Sequence, residues 1–455
     1  MNLKYDEETI VNLSHYFNLD LMALAPIRQK QDSKFVDIIR EKAEKKMNGF
    51  PKLSDPKVFY IGSIDFMVME SGGQNEFVIL ESNGGSSRGL LSLSYDQVEI
   101  IFDAYKKAID ECAKDTPKRV LIGRMPIDDL YQEKIMLMEF LKQKYESEGF
   151  SVGIYTTRSY NPLQQKEPDI ILIVSDYNTL LKDIAYHDQQ IFFRDKAIHL
   201  LIGDGIARRF PIVADDIKKN WNNVKTNIVN RIYHVTDDKF NTYLAEHLGR
   251  DILSKYHIHF LKFGKVFTRD HLETSLKNLI SIQKDFIIKP FGGSGGAGIL
   301  PILQNTSKEQ ISGIIDKSIA EFHHKFDPTR NPFPYTIQEM AKFLLIDWKE
   351  SQRTFDLRIY VAQQNGYIIP VGGEARIARA PFTGEYAKNE FVVNICGDWG
   401  VEFERALAFS PNAIKTLKMS VDDLTDVFCA ACQLFQIICD KYHEILAFND
   451  WNKFL

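Results

Sequence analysis

The chain has 455 residues, 44% of them hydrophobic and 26% charged, with a formal net charge of -5. That length exceeds what one core usually supports and calls for two or three domains, and the composition excludes wholesale disorder. The mild acidity, with lysines interleaved among acids as in 37–46, excludes a surface built to attract nucleic acid.

The five cysteines (Cys112, Cys396, Cys429, Cys432 and Cys439) are too few and too scattered for a disulfide framework, which points to a reducing compartment. The charged N-terminus lacks an apolar signal core, and no apolar run reaches transmembrane length. The expectation is a cytoplasmic protein with no membrane or nucleic-acid partner; its oligomeric state is left open.

In chain order, residues 1–52 read as a polar helical segment ending at Gly49 and Pro51. Two strand-like runs follow, "IDFMVMES" and "NEFVILESN", and Gly72 and Gly73 between them make a hairpin turn. A helix over 94–114 closes this unit, 53–116. From 117 to 215 buried strands alternate with helices (128–148 and 177–187), the pattern of a small parallel α/β domain. Residues 216–455 form the last unit. "NVKTNIVN" is a short strand, and helices are expected over 269–282, 307–324 and 420–441. "TFDLRIYVAQ", "GYIIPVGGEARIA" and "EFVVNICGD" read as neighbouring antiparallel strands. Cys429 and Cys432 form a CxxC inside the apolar 420–441 helix, where core packing competes with a redox or zinc role.

"FIIKPFGGSGGAGILPI" carries the clearest chemistry. Two strands flank a loop of Gly292, Gly293, Ser294, Gly295, Gly296 and Gly298. Glycines let a backbone approach a ligand closely, and successive N–H groups can cradle a phosphate. Lys289, at the end of the incoming strand, is placed to neutralise it. No Gly-Lys-Ser/Thr closes the loop, and the loop joins two strands, so neither a Walker loop nor a dinucleotide fingerprint applies. Earlier in the chain, Glu81 and Asn83 share one strand face and present hard oxygen donors suited to Mg²⁺. Asp204, Arg208 and Arg209 follow a strand end where an open sheet binds ligands, or form an exposed turn. Arg88 follows the candidate metal ligands and can face an acceptor.

Lysine-proline, a glycine-rich hairpin, a strand with "QE" and then "DLR" resemble the ATP-grasp enzymes. The resemblance implies that Lys239 and Lys289 are the two nucleotide lysines. It also implies that Gln338, Glu339, Met340 and Ala341 form the hinge against the adenine edge, with Glu339 facing it. Asp356 would lie near the ribose with Arg358 on the same face, and Arg376 would steady the transferred phosphate. The family's magnesium set, an Asp and then Glu-x-Asn, is matched by Asp65, Glu81 and Asn83, ahead of the lysines. That order resembles the circularly permuted ATP-grasp group, of the glutathionylspermidine-synthase-like kind. Its further motifs have counterparts in Gly89, in "PVGGEAR" (one residue longer than the family's spacing) and in "VVN" ending at Asn394. The fold class implied is a mixed α/β and α+β chain: a permuted ATP-grasp core with an inserted parallel α/β domain. The function implied is an ATP- and Mg²⁺-dependent ligase joining a small-molecule or peptide carboxylate to an amine, with Arg376, Arg358 and Asn394 in catalytic positions. A kinase on the same nucleotide site, and a non-catalytic nucleotide-binding module, are the alternatives.

Overall fold

The computed structural model describes residues 32–84, 90, 93–112, 117–124, 131–163, 166–203, 216, 219–220, 223–236, 238–282, 284–293, 295–326, 328–397 and 400–455. Helix α1 (Ser33–Met47) precedes the hairpin β1 (Ile61–Ser71) and β2 (Gln74–Asn83). Gly72 and Gly73 both take positive φ, 60° and 82°, as the tight hairpin turn requires. Helix α2 (Tyr95–Asp110) opens with a capping box between Ser94 and Gln97. Then come β3 (Lys118–Arg124), α3 (Tyr131–Ser147), β4 (Val152–Thr156), β5 (Ile170–Asp176) and α4 (Tyr177–Asp183). The small meander β6 (Ile184–His187), β7 (Gln190–Phe193) and β8 (Lys196–Ala197) leads to β9 (Leu200–Ile202) and β10 (Asn227–Val229).

Helix α5 (Lys239–Leu248) leads to β11 (Phe263–Val266), α6 (Arg269–Leu279), β12 (Phe286–Pro290), β13 (Leu300–Ile302), α7 (Gln310–Lys325) and β14 (Tyr335–Glu339). The chain continues through β15 (Ile346–Trp348), β16 (Ser351–Arg353), β17 (Phe355–Gln364) and β18 (Tyr367–Ile377). After β19 (Cys396–Gly397), β20 (Gly400–Val401) and β21 (Ala406–Ala408), the long helix α8 (Val421–Asp440) precedes the tail. No helix among the described residues is long and apolar enough to cross a membrane.

Three larger sheets organise most of these elements. The first has the order β2-β1-β17-β18-β21, antiparallel throughout, so the early hairpin is built onto strands from the far end of the chain. The second, β10-β9-β3-β5-β4, is parallel. The third, β11-β14-β12-β13, is antiparallel and carries the glycine loop.

Two expectations need correction. The strand in "NVKTNIVN" belongs to the parallel sheet, because Asn227–Val229 pairs in register with Leu200–Ile202, so that unit runs past residue 215. "EFVVNICGD" is not a third neighbouring strand. Lys388–Phe391 is a helical turn, and the place beside β18 is taken by β21. The segment runs to the glycine loop instead.

One face of the first sheet is apolar. Ile64, Phe66, Phe77, Ile79, Leu357, Ile359 and Ala375 pack against Leu424, Phe428 and Phe435 of α8 in a single core. Cys429 and Cys432 are wholly buried in it, and burial pushes the Cys429 thiol up to about 12, so core packing is their role. Phe435 packs on Phe59 with ring centroids 4.6 Å apart and fills the space over Gly62, where a Cβ would lie 2.4 Å from its ring. Helix α2 fills a second core between the parallel sheet and Tyr360, Ala362 and Val371 of the first. A third lies under the glycine-loop sheet, where Leu272, Leu276, Ile311 and Ile315 of α6 and α7 meet Phe286, Ile288 and Ile337. Phe435→Ala should therefore lower stability in urea unfolding by about 3–5 kcal/mol, the cost of a large buried cavity; a loss below about 1 kcal/mol would contradict this packing.

Candidate active site

The other face of the first sheet is polar at its middle, between the apolar core under α2 and the patch of Met67 and Val78. Asp65 on β1 stands opposite Glu81 on one side and Arg358 on the other, and Asp356 stands opposite Arg376. Paired residues point to the same side, so these five share a face. A bulge in β2 makes this work. Pairing steps from Glu81–Asp65 to Ile79–Phe66, leaving Leu80 as the extra residue. The extra residue resets the alternation, so that Val78 and Glu81 both face the polar side.

At the centre of that face four charges interlock. Arg358 donates from Nε and Nη2 to the two carboxylate oxygens of Asp65, each at 2.7 Å. Arg376 donates from Nη2 to Asp65 Oδ2 at 2.8 Å and from Nε to Asp356 Oδ1 at 2.8 Å, with a further bond from Nη2 to Asp356 Oδ2. Burial alone would push the Asp65 carboxyl up, but Arg358 and Arg376 together outweigh it and hold the group well below the usual carboxylate range. For Asp356 burial wins over Arg376, and its carboxyl is pushed up. Of the two arginines, Arg358 is the more accessible, with 17% of its side chain exposed against 5% for Arg376.

A second cluster joins the hairpin to the nucleotide-type elements. Asp238 caps α5 by accepting from Phe240 N and also holds Lys265 Nζ at 2.5 Å. This places Lys239 in the first turn, with its Nζ 2.6 Å from Glu81 Oε2. Lys289 donates to Tyr243 OH and to Gln338 Oε1, each at 2.7 Å, and Tyr243 OH donates to Leu80 O at 2.5 Å. Burial, reinforced by the nearby charge of Lys239, pulls the Lys289 ammonium down to about 7. Glu246, one turn beyond Tyr243 and also buried, has its carboxyl pushed well up by burial.

The hinge differs from expectation. Gln338, not Glu339, turns toward Lys289, while Glu339 pairs with Lys284, because successive strand residues face opposite sides. The N–H groups of Glu339 and Met340 donate to Lys262 O and Asp285 O, each at 2.8 Å. Ala341 lies in an apolar patch with Met67 and Val78, flanked by Leu80, Leu261 and Phe343.

The glycine loop packs against α7 and the 392–394 segment. At Gly296 φ is 72° and a Cβ would lie 2.6 Å from Val392 Cγ1, so both conformation and space demand glycine. A Cβ on Gly295 would lie 3.1 Å from Asn394 Nδ2, which places Asn394 at the loop. Arg330 donates to Gly292 O at 2.5 Å, and Gly293 N donates back to Pro290 O at 3.4 Å. Arg405 ties the segment to the first sheet, donating to Asn394 O at 2.7 Å and also to Ile377 O.

The structure thus brings Lys239, Lys289, Gln338 and Glu81 to one point, and Asp65, Asp356, Arg358 and Arg376 to another on the same sheet face. The ribose contact expected of Asp356 is corrected: both its oxygens are held by Arg376 and the group is 4% exposed. Asp65, expected to hold metal, has both oxygens held by arginine. Ser294, Arg88, Gly89, Asp204, Arg208 and Arg209 lie outside the described residues. Sequence reasoning missed Tyr243, Arg330 and Arg405, whose roles depend on partners distant in the chain. It also missed the packing of the tail. Phe448, Trp451 and Phe454, spaced by three, pack on Phe240 and Phe263.

No family model matches the chain. Among solved structures it is similar to one from Methylobacillus flagellatus KT, provisionally described as a gamma-glutamylcysteine synthetase. That match has 12% identity and a TM-score of 0.50, covering 93% of this chain and 96% of that one. A glutathione synthetase-like effector from Globodera pallida matches with 10% identity over 82% of this chain and 85% of its own, at a TM-score of 0.38. A tRNA N6-adenosine threonylcarbamoyltransferase from Ureaplasma parvum serovar 3 is 28% identical over 145 residues, 29% of this chain. The match spans 44% of that protein, so the chain covers less than half the length of the curated relatives it matches. The fold is the ATP-grasp fold.

Lys289 sets a pH dependence. Its ammonium loses its proton near pH 7 in the free protein, and an anionic phosphate beside it would favour the charged form. Binding of a non-hydrolysable ATP analogue at pH 8 should take up about one proton and weaken as pH rises through 7. Calorimetry in two buffers of different ionisation enthalpy measures this. Uptake that persists unchanged in Lys289→Met would contradict the assignment.

Proposed function

We propose that the chain is an ATP-dependent carboxylate–amine ligase that forms an amide or peptide bond and releases ADP and phosphate. The observation that carries this reading is the meeting of Lys239, from the helix before the glycine-loop sheet, with Glu81 from the early hairpin, beside Lys289. Cations suited to a triphosphate and an acid suited to its metal converge there, next to a sheet face that presents two arginines. The arrival of the hairpin from the N-terminal end, beside strands β17 and β18, supports a circularly permuted order.

In this reading the base lies on the apolar patch of Met67, Val78, Leu80 and Ala341, and Lys289 and Lys239 hold the phosphates. For magnesium, Glu81 and Asn83 fit. Both are oxygen donors on one strand face, and among the described residues the buried Nδ2 of Asn83 has no hydrogen-bond partner. Asp65 does not fit as a direct ligand while both its oxygens are occupied; it anchors Arg358 and Arg376. Magnesium, when bound, would supply neutralisation of phosphate charge. A substrate carboxylate then attacks the γ-phosphate, ADP leaves, and an amine displaces phosphate from the resulting acylphosphate. Arg358, fixed by two bonds to Asp65 and the more accessible arginine, presents its charge to the transferring group. Arg376, expected in that role, is the more buried of the two and is bound to both Asp356 and Asp65. Asn394 and the glycine loop close over the phosphates and exclude water from the acylphosphate.

ADP should therefore appear only when a suitable acid is supplied, and hydroxylamine in place of the amine should give a hydroxamate. AMP and pyrophosphate as products would contradict the reading. A stable phosphoester without hydroxamate would move the protein to a kinase. Arg358→Ala should slow ADP formation by about 100-fold or more while analogue binding changes little. Arg376→Ala should also destabilise the fold by about 3–5 kcal/mol, since it leaves buried carboxylates uncompensated. Comparison of melting curves separates the two effects, and equal stability of both variants would count against the assigned order of the arginines.

A further inference from the structure

Asn230, just past β10, takes no part in the chemistry above, yet its wholly buried amide makes a dense set of bonds at the edge of the site. Its Oδ1 accepts from Tyr60 N at 2.7 Å and from Ile61 N at 3.4 Å. Its Nδ2 donates to Ile61 O and to Gly84 O, each at 2.5 Å, and its backbone N–H donates to the same Gly84 O at 3.3 Å. One side chain thus presents both a donor and an acceptor to Ile61, as a neighbouring strand would, and binds the carbonyl that directly follows Asn83. Gly84 is held on its other side by close packing: a Cβ there would lie 2.7 Å from Thr236 Oγ1. Ser82 is anchored to α5 through Thr242, with the two hydroxyls 2.7 Å apart. Asn227, at the start of the same strand, donates to Tyr60 OH at 2.8 Å. The end of the parallel sheet is therefore bonded to the start of β1 and to the exit of β2 at once.

We propose that Asn230 is a positioning residue: by holding the Gly84 carbonyl against the start of β1, it sets the exit of β2 and so the direction in which Glu81 and Asn83 present their oxygens. The proposal rests on the reading of Glu81 and Asn83 as the metal-side pair. The chemistry specifies an amide. An Asp at this position keeps the acceptor for Tyr60 N but sets an oxygen against the two carbonyls, and an apolar residue leaves all of these buried groups unpaired. The side chain acts through backbone, so its effect should appear in the metal dependence of nucleotide binding and not in the contacts to the base.

The test compares the full chain with Asn230→Asp and with Gly84→Ala, which displaces the same carbonyl from the Thr236 side and leaves Asn230 intact. Calorimetry with a non-hydrolysable ATP analogue, with and without Mg²⁺, is read alongside hydrogen exchange over residues 77–84. Both variants should lose the Mg²⁺-dependent gain in affinity by about tenfold or more, as when a group orienting a metal ligand is removed. Metal-free affinity should stay within about twofold of the parent, and exchange at 77–84 should rise while α8 stays protected. A parent-like Mg²⁺ gain in Asn230→Asp, or a uniform rise in exchange across the chain, would overturn the positioning role. If the parent itself gains nothing from Mg²⁺, the metal reading fails. Exchange at 77–84 then still decides whether Asn230 sets this strand exit, and unchanged exchange there overturns it.

Discussion

Four charges buried between strands form the constraint on which the rest depends. Asp65, Arg358, Arg376 and Asp356 lie in a place where single ions would be strongly penalised, and only paired, multiply bonded geometry offsets the loss of water. That geometry exists because three strands are in one register, with Asp65 opposite Arg358 and Asp356 opposite Arg376. A one-residue slip of β17 would turn Asp356 and Arg358 into the apolar core on α8, and the same slip of β1 would turn Asp65. The network therefore specifies how the early hairpin meets strands encoded nearly three hundred residues later.

The sheet's two faces divide the labour. The apolar face is anchored by α8, with α1 joined to it through the buried Asp426, which accepts from Lys46 and lies 2.9 Å from His257 Nδ1. Helix α5 links the polar part of the other face to the glycine-loop sheet: its start delivers Lys239 to Glu81 and its middle delivers Tyr243 to Lys289. The aromatic tail supports this helix from behind. Trp451 packs on Phe240 and covers the buried Lys265–Asp238 pair that caps α5, with Lys265 Nζ 5.0 Å from its ring. Placement of the first lysine thus depends on the last residues of the chain.

Much of this was legible in the sequence, and the parts that were not share a cause. The hairpin turn, the helices, the glycine loop and the pairing of Glu81 with Asn83 are written in local spacing, which sequence displays directly. Asp356 and Arg358 lie two residues apart on one strand face, but register assigns each a different partner: Asp356 binds Arg376 and Arg358 binds Asp65. Glu339 looked like the inward residue from its motif, whereas the phase of the strand selects Gln338. The bulge at Leu80 leaves no local mark, and neither does the return of 392–394 to the glycine loop, because both are decided by packing against elements remote in sequence. Residues that work through backbone carbonyls, such as Arg405 and Asn230, have no motif to betray them.

The central claim is that one site lies between the polar face of the first sheet and the glycine-loop sheet, and that its arginines are held for a transferring phosphate. A crystal structure of the complex with Mg²⁺ and a non-hydrolysable ATP analogue tests this most directly. The triphosphate should lie between Lys239, Lys289 and the glycine loop, its terminal phosphate toward Arg358, and the metal on Glu81 and Asn83 with the Asp65–Arg358 pair intact. A nucleotide bound elsewhere, or a terminal phosphate directed away from the arginines, would contradict it.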